Sequence, residues 1–335
     1  MSGADPGTTE LDAVRADYLR FAHYEARGQS DAYERLATAV ADSELALDFV
    51  LELPRAKRQP NLVLASIRWV CGVARDAAEL ERFLLQEGPR IRTVVEERRT
   101  QTNEPGRCAT LLPILAALPQ PLALLEVGAS AGLCLMPDRY AYDYGVRSLQ
   151  PSDAVEAPVL RCIVETDDGL PAALPEIAWR RGIDLNPIDV RDSDQSEWLE
   201  NLVWPGQAAR LDRVRGALAV ARVDPPTVER GDLVDALEST ASMAPTDATL
   251  VVFHSAVLSY ASPEKRSEFR RLVETLDGHW VSNEGVSVLP ELTARVDGPT
   301  SPGQFLTCLD GEPMAWSGPH GQSFEWIGQQ RGTSR

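Results

Sequence analysis

Long apolar runs, paired cysteines and an excess of positive charge are all missing from this chain of 335 residues. No run approaches the roughly 18 apolar residues needed to cross a bilayer, so no membrane partner is expected. The first 30 residues carry Asp and Glu and no apolar core of a signal peptide, which predicts a soluble, cytoplasmic protein. The five cysteines (Cys71, Cys108, Cys134, Cys162, Cys308) form no CxxC pair and are odd in number. That argues against a disulfide framework or a zinc site and for cysteine used as a small hydrophobe; no metal is expected. Asp and Glu outnumber Lys and Arg, 50 to 33, for a net charge of -17. A broad grip on phosphate needs clustered cations, so nucleic acid is not an expected partner. Arg90, Arg92, Arg98, Arg99 and Arg107 do cluster, but Glu96, Glu97 and Glu104 interleave with them, as on a mixed, solvated surface.

What is present is an ordinary globular composition, 44% hydrophobic and 25% charged. At roughly 150 residues per domain the length suggests two domains. Helical spacing links Leu11, Val14, Tyr18, Phe21 and Ala22, with Gly28 as a stop. Ser30 and Ser43 stand where the next two helices need caps, and Pro60 opens an apolar helix over 61–73. Residues 77–100 predict further helix, broken at Gly88–Pro89. No strand pattern precedes residue 120. The expected division is an all-helical domain over 1–100, acting as a lid or substrate wall, and an α/β domain over 101–330 with an insertion at about 139–176. Near the end, 305–309, 314–316 and 324–327 predict an antiparallel hairpin or meander.

Residues 124–133 read LLEVGASAGL, an apolar strand followed by Gly128, Ala129, Ser130, Ala131 and Gly132. Small residues let a ligand approach the backbone, and a following helix would present free N–H groups. A tight strand-to-helix turn needs the same residues, so the string alone leaves both readings open. Glu126 at the strand end tilts the choice. A carboxylate there repels phosphate and suits a cationic ligand. The loop resembles motif I of class I methyltransferases, with Ser130 in place of the middle glycine. The resemblance implies binding of S-adenosylmethionine, which carries an ammonium and a sulfonium. The same string also matches the G-x-S-x-G of a hydrolase elbow, with Asp247 and His279 or His320 as nominal partners, but no oxyanion glycine cluster accompanies it.

Further strands end in polar residues, where open α/β sheets bind ligands. Asp184 closes the segment 177–184 and, with Leu185 next to it, is a candidate for the ribose; a helix or turn cap is the alternative. Asp232 and Leu233 lie in TVERGDL, which resembles motif III and implies an adenine contact, again against a plain N-cap. His254 and Ser255 follow the buried run 250–253, with Tyr260 beyond. His254 is a candidate general base and Tyr260 a second catalytic candidate, whereas a structural histidine holding the sheet end is the other reading. Asn283 and Glu284 end the segment 279–284 on the substrate side.

Blocks spread over most of residues 15–290 resemble the actinobacterial domain-of-unknown-function family 2332: QTNEPGRCATLLP at 101–113, LLEVGASAGL at 124–133, DRYAYDYG at 138–145, RRGIDLNPIDV at 180–190, VWPGQAARLDRVRGAL at 203–218 and VFHSAVLSY at 252–260. Gly206 replaces an aspartate of that family's pattern. The resemblance implies a Rossmann-like class I methyltransferase fold, a mostly parallel seven-stranded sheet with an antiparallel terminal strand, behind the helical domain. Within the first block, Thr102 or Asn103 can cap a helix with Pro105 in its first turn. Gln101, Asn103 and Arg107 then become substrate candidates, as do Tyr140 and Tyr142, whose ring faces could meet a sulfonium. The expected function is an S-adenosylmethionine-dependent methyltransferase acting on a small molecule. Aminocarboxypropyl transfer, cyclisation of the cofactor and a non-enzymatic binding or interaction module are the alternatives. The sequence leaves the oligomeric state open.

Overall fold

Side-chain caps start the helices of the first part of the chain. Thr9 and Asp12 close a capping box at α1 (Glu10–Arg20), which runs on into a π-helical turn, Phe21–Ala26. Ser30 caps α2 (Asp31–Asp42) by accepting from Tyr33 N, and Ser43 caps α3 (Glu44–Leu51) by accepting from Ala46 N. Pro60 occupies the first turn of α4 (Pro60–Cys71), and Asp76 caps α5 (Ala77–Glu97). The expected break at Gly88–Pro89 does not occur, and α5 continues through it. The proline removes one backbone donor, but Leu80, Leu84, Gly88, Ile91 and Val95 form one buried stripe along the helix, with Phe49 3.7 Å from the Cβ position of Gly88. That stripe outweighs the missing bond.

The computed structural model describes residues 9–101, 103–152, 157–296 and 303–328. It divides into two units, Met1–Thr102 with Glu197–Leu211, and Asn103–Ser196 with Asp212–Arg335. The excursion 197–211 belongs with the helices for a visible reason. Trp198 Nε1 donates to Arg99 O at 2.9 Å, Asn201 Nδ2 to Ala65 O at 2.8 Å and Trp204 Nε1 to Asn61 Oδ1 at 2.8 Å. The Arg98 guanidinium lies 5.6 Å from the Trp69 ring and 5.5 Å from the Trp198 ring. Among the described residues no helix is long and apolar enough to cross a membrane.

The second unit begins with α6 (Cys108–Leu115), buried throughout. It leads to β1 (Leu122–Val127), whose six residues are all buried. A small sheet of β2 (Ala141–Asp143), β3 (Ser148–Leu149) and β4 (Val159–Arg161) follows, in the order β3-β2-β4. The chain then forms β5 (Ile177–Asp184), α7 (Ser193–Leu202), α8 (Ala208–Val223), β6 (Val228–Arg230), α9 (Leu237–Ala241), β7 (Thr249–Ser255), α10 (Pro263–Val273) and β8 (His279–Gly285). It closes with α11 (Pro290–Thr293), β9 (Phe305–Leu309), β10 (Glu312–Ser317) and β11 (Phe324–Trp326).

The large sheet has eight strands in the order β11-β10-β9-β8-β7-β1-β5-β6. Strands β6, β5, β1, β7 and β8 are mutually parallel, and β9 to β11 form an antiparallel meander. This is a mixed α/β fold on a large, mostly parallel sheet. Seven strands with one antiparallel strand were expected; the structure corrects this to eight, with three in the meander. The cause is local. Asp310 and Gly311 both take positive φ, 51° and 76°, the backbone of a two-residue hairpin, so β9 and β10 pair directly. The chain winds outward from β1 through β5 to β6, then returns to β7 on the other side of β1. The order of the strands therefore reverses between β1 and β7, the kind of switch point at whose strand carboxyl ends open α/β sheets bind ligands.

The Trp198 side chain carries a checkable consequence for the helical unit. Trp198→Ala is expected to cost about 3–5 kcal/mol of stability, read by denaturant unfolding. A loss below about 1 kcal/mol, the scale of a neutral surface change, would show that 197–211 is not part of that core.

Candidate functional site

The turn that follows β1 winds through three left-handed residues, Gly128 (φ 74°), Ser130 (φ 53°) and Gly132 (φ 69°). Its N–H groups are all spent inside the protein. Gly128 and Ala129 donate to Ile183 O, Ser130 to Asp184 Oδ2, Ala131 to Asn103 Oδ1 and Gly132 to Ala129 O. No α-helix follows: Leu133–Leu135 and Pro137–Arg139 are single 3₁₀ turns. The expected cradle of free helix N–H groups is therefore corrected. Pro137, two residues past the first turn, disfavours helical backbone at Met136 and stops a helix there. The glycines serve packing. A Cβ on Gly128 would lie 2.6 Å from Val257 Cγ1, and one on Gly132 would lie 2.7 Å from Pro226.

Polar atoms without partners collect around the turn. Glu126 Oε2, Ser130 Oγ and Asn103 Nδ2 are buried and have no hydrogen-bond partner among the described residues. The orientation of Asn103 is fixed, because Ala131 N can only donate and so faces Oδ1 at 3.3 Å, turning the amide nitrogen away. Burial raises the Glu126 carboxyl well above its ordinary 4.5, and Cys134 and Asp184 nearby push it the same way, against the pull of Arg107. The structure thus gathers Asn103, Glu126, Gly128, Ala129, Ser130, Gly132 and Asp184 at one turn.

Other candidates are committed elsewhere. Asp184 accepts from Ser130 N with one oxygen and from Asn186 N with the other, at 2.8 and 2.7 Å, which is the capping alternative in working form. Leu185 is exposed. Asp232 pairs with Lys265 and accepts from Val234 N at 3.0 Å; burial pushes its carboxyl up, but those bonds outweigh it and hold the group below its usual range. Leu233 packs against the core of the large sheet. Tyr140 and Tyr142 are fully enclosed and donate to Leu133 O and Pro137 O, so neither ring can face a sulfonium. Tyr260, by contrast, is 82% exposed. Gln101 groups with the helical unit, and Thr102 lies outside the described residues. The helix cap in that block is Glu104, whose Oε1 accepts from Gly106 N at 3.0 Å.

His254 is 0% exposed and both ring nitrogens are engaged. Trp280 Nε1 can only donate, so His254 Nε2 accepts it at 3.0 Å, and Nδ1–H donates to Glu284 Oε1 at 2.8 Å. The expectation of a general base at this position is corrected to a structural histidine. Glu284 Oε1 also accepts from Val257 N and Leu258 N at 2.9 and 3.0 Å. Ser255 Oγ donates to Asn283 Oδ1, while Asn283 Nδ2 donates to Thr307 Oγ1 and Ser317 Oγ at 2.8 and 3.0 Å. Asn283 is therefore 1% exposed and closes a buried polar network between strands. Arg107 is also buried, donating to Ser255 O and Pro319 O at 3.0 and 2.9 Å. Sequence reasoning missed Val257 and Cys134, which offer no signal beyond an apolar side chain. It also missed the anchoring role of Glu284, whose signal is an acid in a strand otherwise buried.

The fold and its polar turn define an α/β protein with a topological switch point beside its central strand. The chain belongs to the family described as "Uncharacterized protein conserved in bacteria (DUF2332)", whose model matches residues 15–326. No curated protein and no solved structure matches it.

Two measurements test this geometry. Gly128→Ala is expected to cost at least about 1–2 kcal/mol from its left-handed backbone alone, with more from overlap on Val257. Adding Val257→Ala should recover part of the loss, so strictly additive unfolding energies would refute the contact. The second concerns pH. Below 4.5 Glu126 is protonated whether folded or not. As pH climbs toward the raised folded value, the unfolded chain releases the proton first and stability falls. Glu126→Gln lacks this proton, so its Tm advantage over the parent should grow with pH across that window. A difference that stays constant as pH is raised above 4.5 would contradict the buried carboxyl.

Proposed function

We propose that the second unit is a Rossmann-like, class I methyltransferase-type domain that binds S-adenosylmethionine at the turn after β1 and transfers its methyl group to a small molecule. The observation that carries this reading is the unpartnered set around the turn: an acceptor at Glu126 Oε2, a donor at Asn103 Nδ2 and a hydroxyl at Ser130. An α-amino acid head group offers the complement, an ammonium for Glu126 and a carboxylate for Asn103. Buried polar atoms without partners cost free energy, and such a ligand would satisfy them. The order β6-β5-β1-β7-β8 supports the same reading, because it matches the parallel half of that fold. The spent N–H groups argue against a pyrophosphate ligand, which would need them.

When bound, the cofactor supplies the electrophilic methyl group. The residues of the chain contribute position and exclusion of water, which suffices for an in-line displacement on a nucleophile already free of its proton. Asp184 acts through the turn it clamps and not by direct contact with ribose. A second reading, a module that binds the adenosyl compound without chemistry, is favoured by His254, which is saturated and enclosed.

Calorimetric titration decides between ligands. S-adenosylmethionine and S-adenosylhomocysteine should bind and NAD should not; Glu126→Gln should weaken the two adenosyl ligands by about 10- to 100-fold, the scale of a charged hydrogen bond. A cation draws Glu126 toward its ionised form, so binding should release a proton and tighten as pH rises. Repeating the titration in buffers of different ionisation enthalpy reads that proton. Binding of NAD alone, or equal affinity in Glu126→Gln, would remove the reading. Release of S-adenosylhomocysteine with a nucleophile present separates methyl transfer from the binding module.

A further inference from the structure

The segment 256–260 between β7 and α10 has three features that no strand-to-helix connection requires. Ala256 sits at φ 57°, a left-handed conformation unfavourable for a residue with a Cβ. That bend delivers the Val257 side chain onto Gly128, which stands between Glu126 and Ser130 in the turn. One carboxylate oxygen, Glu284 Oε1, then collects Val257 N, Leu258 N and His254 Nδ1 at 2.9, 3.0 and 2.8 Å. The other oxygen of Glu284 is buried with no hydrogen-bond partner.

We infer that residues 256–260 are a latched lid over the glycine turn, with Val257 as the plug and Glu284 as the latch. The inference rests on the adenosyl reading of that turn and supplies its control of access. The segment is fixed at both ends. Arg107 Nη1 donates to Ser255 O at one end, and Arg266 donates to Ser259 O and Ala261 O at the other. Between those anchors the Glu284 oxygen, backbone turns, Ala256 N donating to Asn283 O at 3.0 Å and the fully buried Leu258 side chain hold it, and Tyr260 at its outer end projects into solvent. Release of that oxygen frees both amides together, relaxes Ala256 and lifts Val257 from Gly128. The buried atoms of Glu126 and Ser130 then become reachable. The lid is thus poised between a backbone bend that favours opening and a closed state held by one acceptor with three donors and by the seat of Leu258 in the core.

The experiment has a ligand-free arm and a ligand arm, both on the full chain. Amide hydrogen exchange of Val257 and Leu258 reads opening directly. Glu284→Gln should speed it on the order of tenfold, the effect of weakening a charged acceptor, while the amides of Val251, Val252 and Phe253 on β7 stay protected. In the second arm, stopped-flow association of S-adenosylmethionine should be faster for Val257→Ala and slower for Ala256→Gly, in which the closed bend is no longer unfavourable. Unchanged exchange at Val257 and Leu258 in Glu284→Gln overturns the latch. An unchanged association rate in Val257→Ala overturns the plug. If neither the parent nor Val257→Ala binds the sulfonium, the adenosyl reading falls by itself, and exchange still decides whether the segment opens. Should Glu284→Gln not fold, the comparison of Ala256→Gly with the parent in the exchange arm replaces it, with slower exchange expected and equal exchange fatal to the lid.

Discussion

A carboxyl group at the end of a strand buried along its full length is the constraint on which this unit is organised. β1 lies between β5 and β7, so Glu126 has backbone on both sides and almost no access to water. An ionised carboxylate in such a place is costly unless it is paired. Glu126 Oε2 has no partner, and Arg107 draws its charge only partly against burial, Cys134 and Asp184. The unit therefore keeps an unsatisfied acidic group at the buried end of its central strand. Natural interiors seldom tolerate such a group without a functional reason.

The surroundings can be understood as consequences of that choice. Asp184 is held off as a second acid by giving both oxygens to backbone N–H groups, which also fixes the turn. Asn103 closes the turn from the other side through Ala131 N. Val257 keeps water from the turn at Gly128, and Glu284 keeps Val257 there. The histidine that ends β7 is drawn into the same arrangement. Its ring joins Trp280 to Glu284 and thereby ties β7 to β8.

Much of the sheet was legible in the sequence because its parallel strands end in polar residues, after short apolar runs in β1 and β7. Glu126, Asp184, His254 and Asn283 all mark such ends, and each stands at the carboxyl end of its strand. What could not be read was the identity of partners far along the chain. His254 reads as a base until Trp280 and Glu284, 26 and 30 residues away, are seen to occupy its nitrogens. Residues 197–211 read as part of the α/β domain until Trp198 and Asn201 are seen bonded to Arg99 and Ala65. The absent helix after Gly132 has the same origin. Leu133, Cys134 and Leu135 suit a helix by composition, but Pro137 turns the chain at once toward the small sheet.

That loss of the helix bears on what the turn can recognise. A glycine turn backed by a helix binds anions, because N–H groups and the helix dipole point at the ligand. Here both are gone, and the turn's five N–H groups are used to hold it to Ile183, Asp184, Asn103 and itself. Electrostatically the site is left with a carboxyl, a hydroxyl and an amide in a low-dielectric setting. A phosphate would meet no donor array and one acid. A compound with a cationic head would gain the acid and a neighbouring amide for its own carboxylate. One side chain at the strand end and the lack of one helix thus remove from this turn the features that serve anions elsewhere.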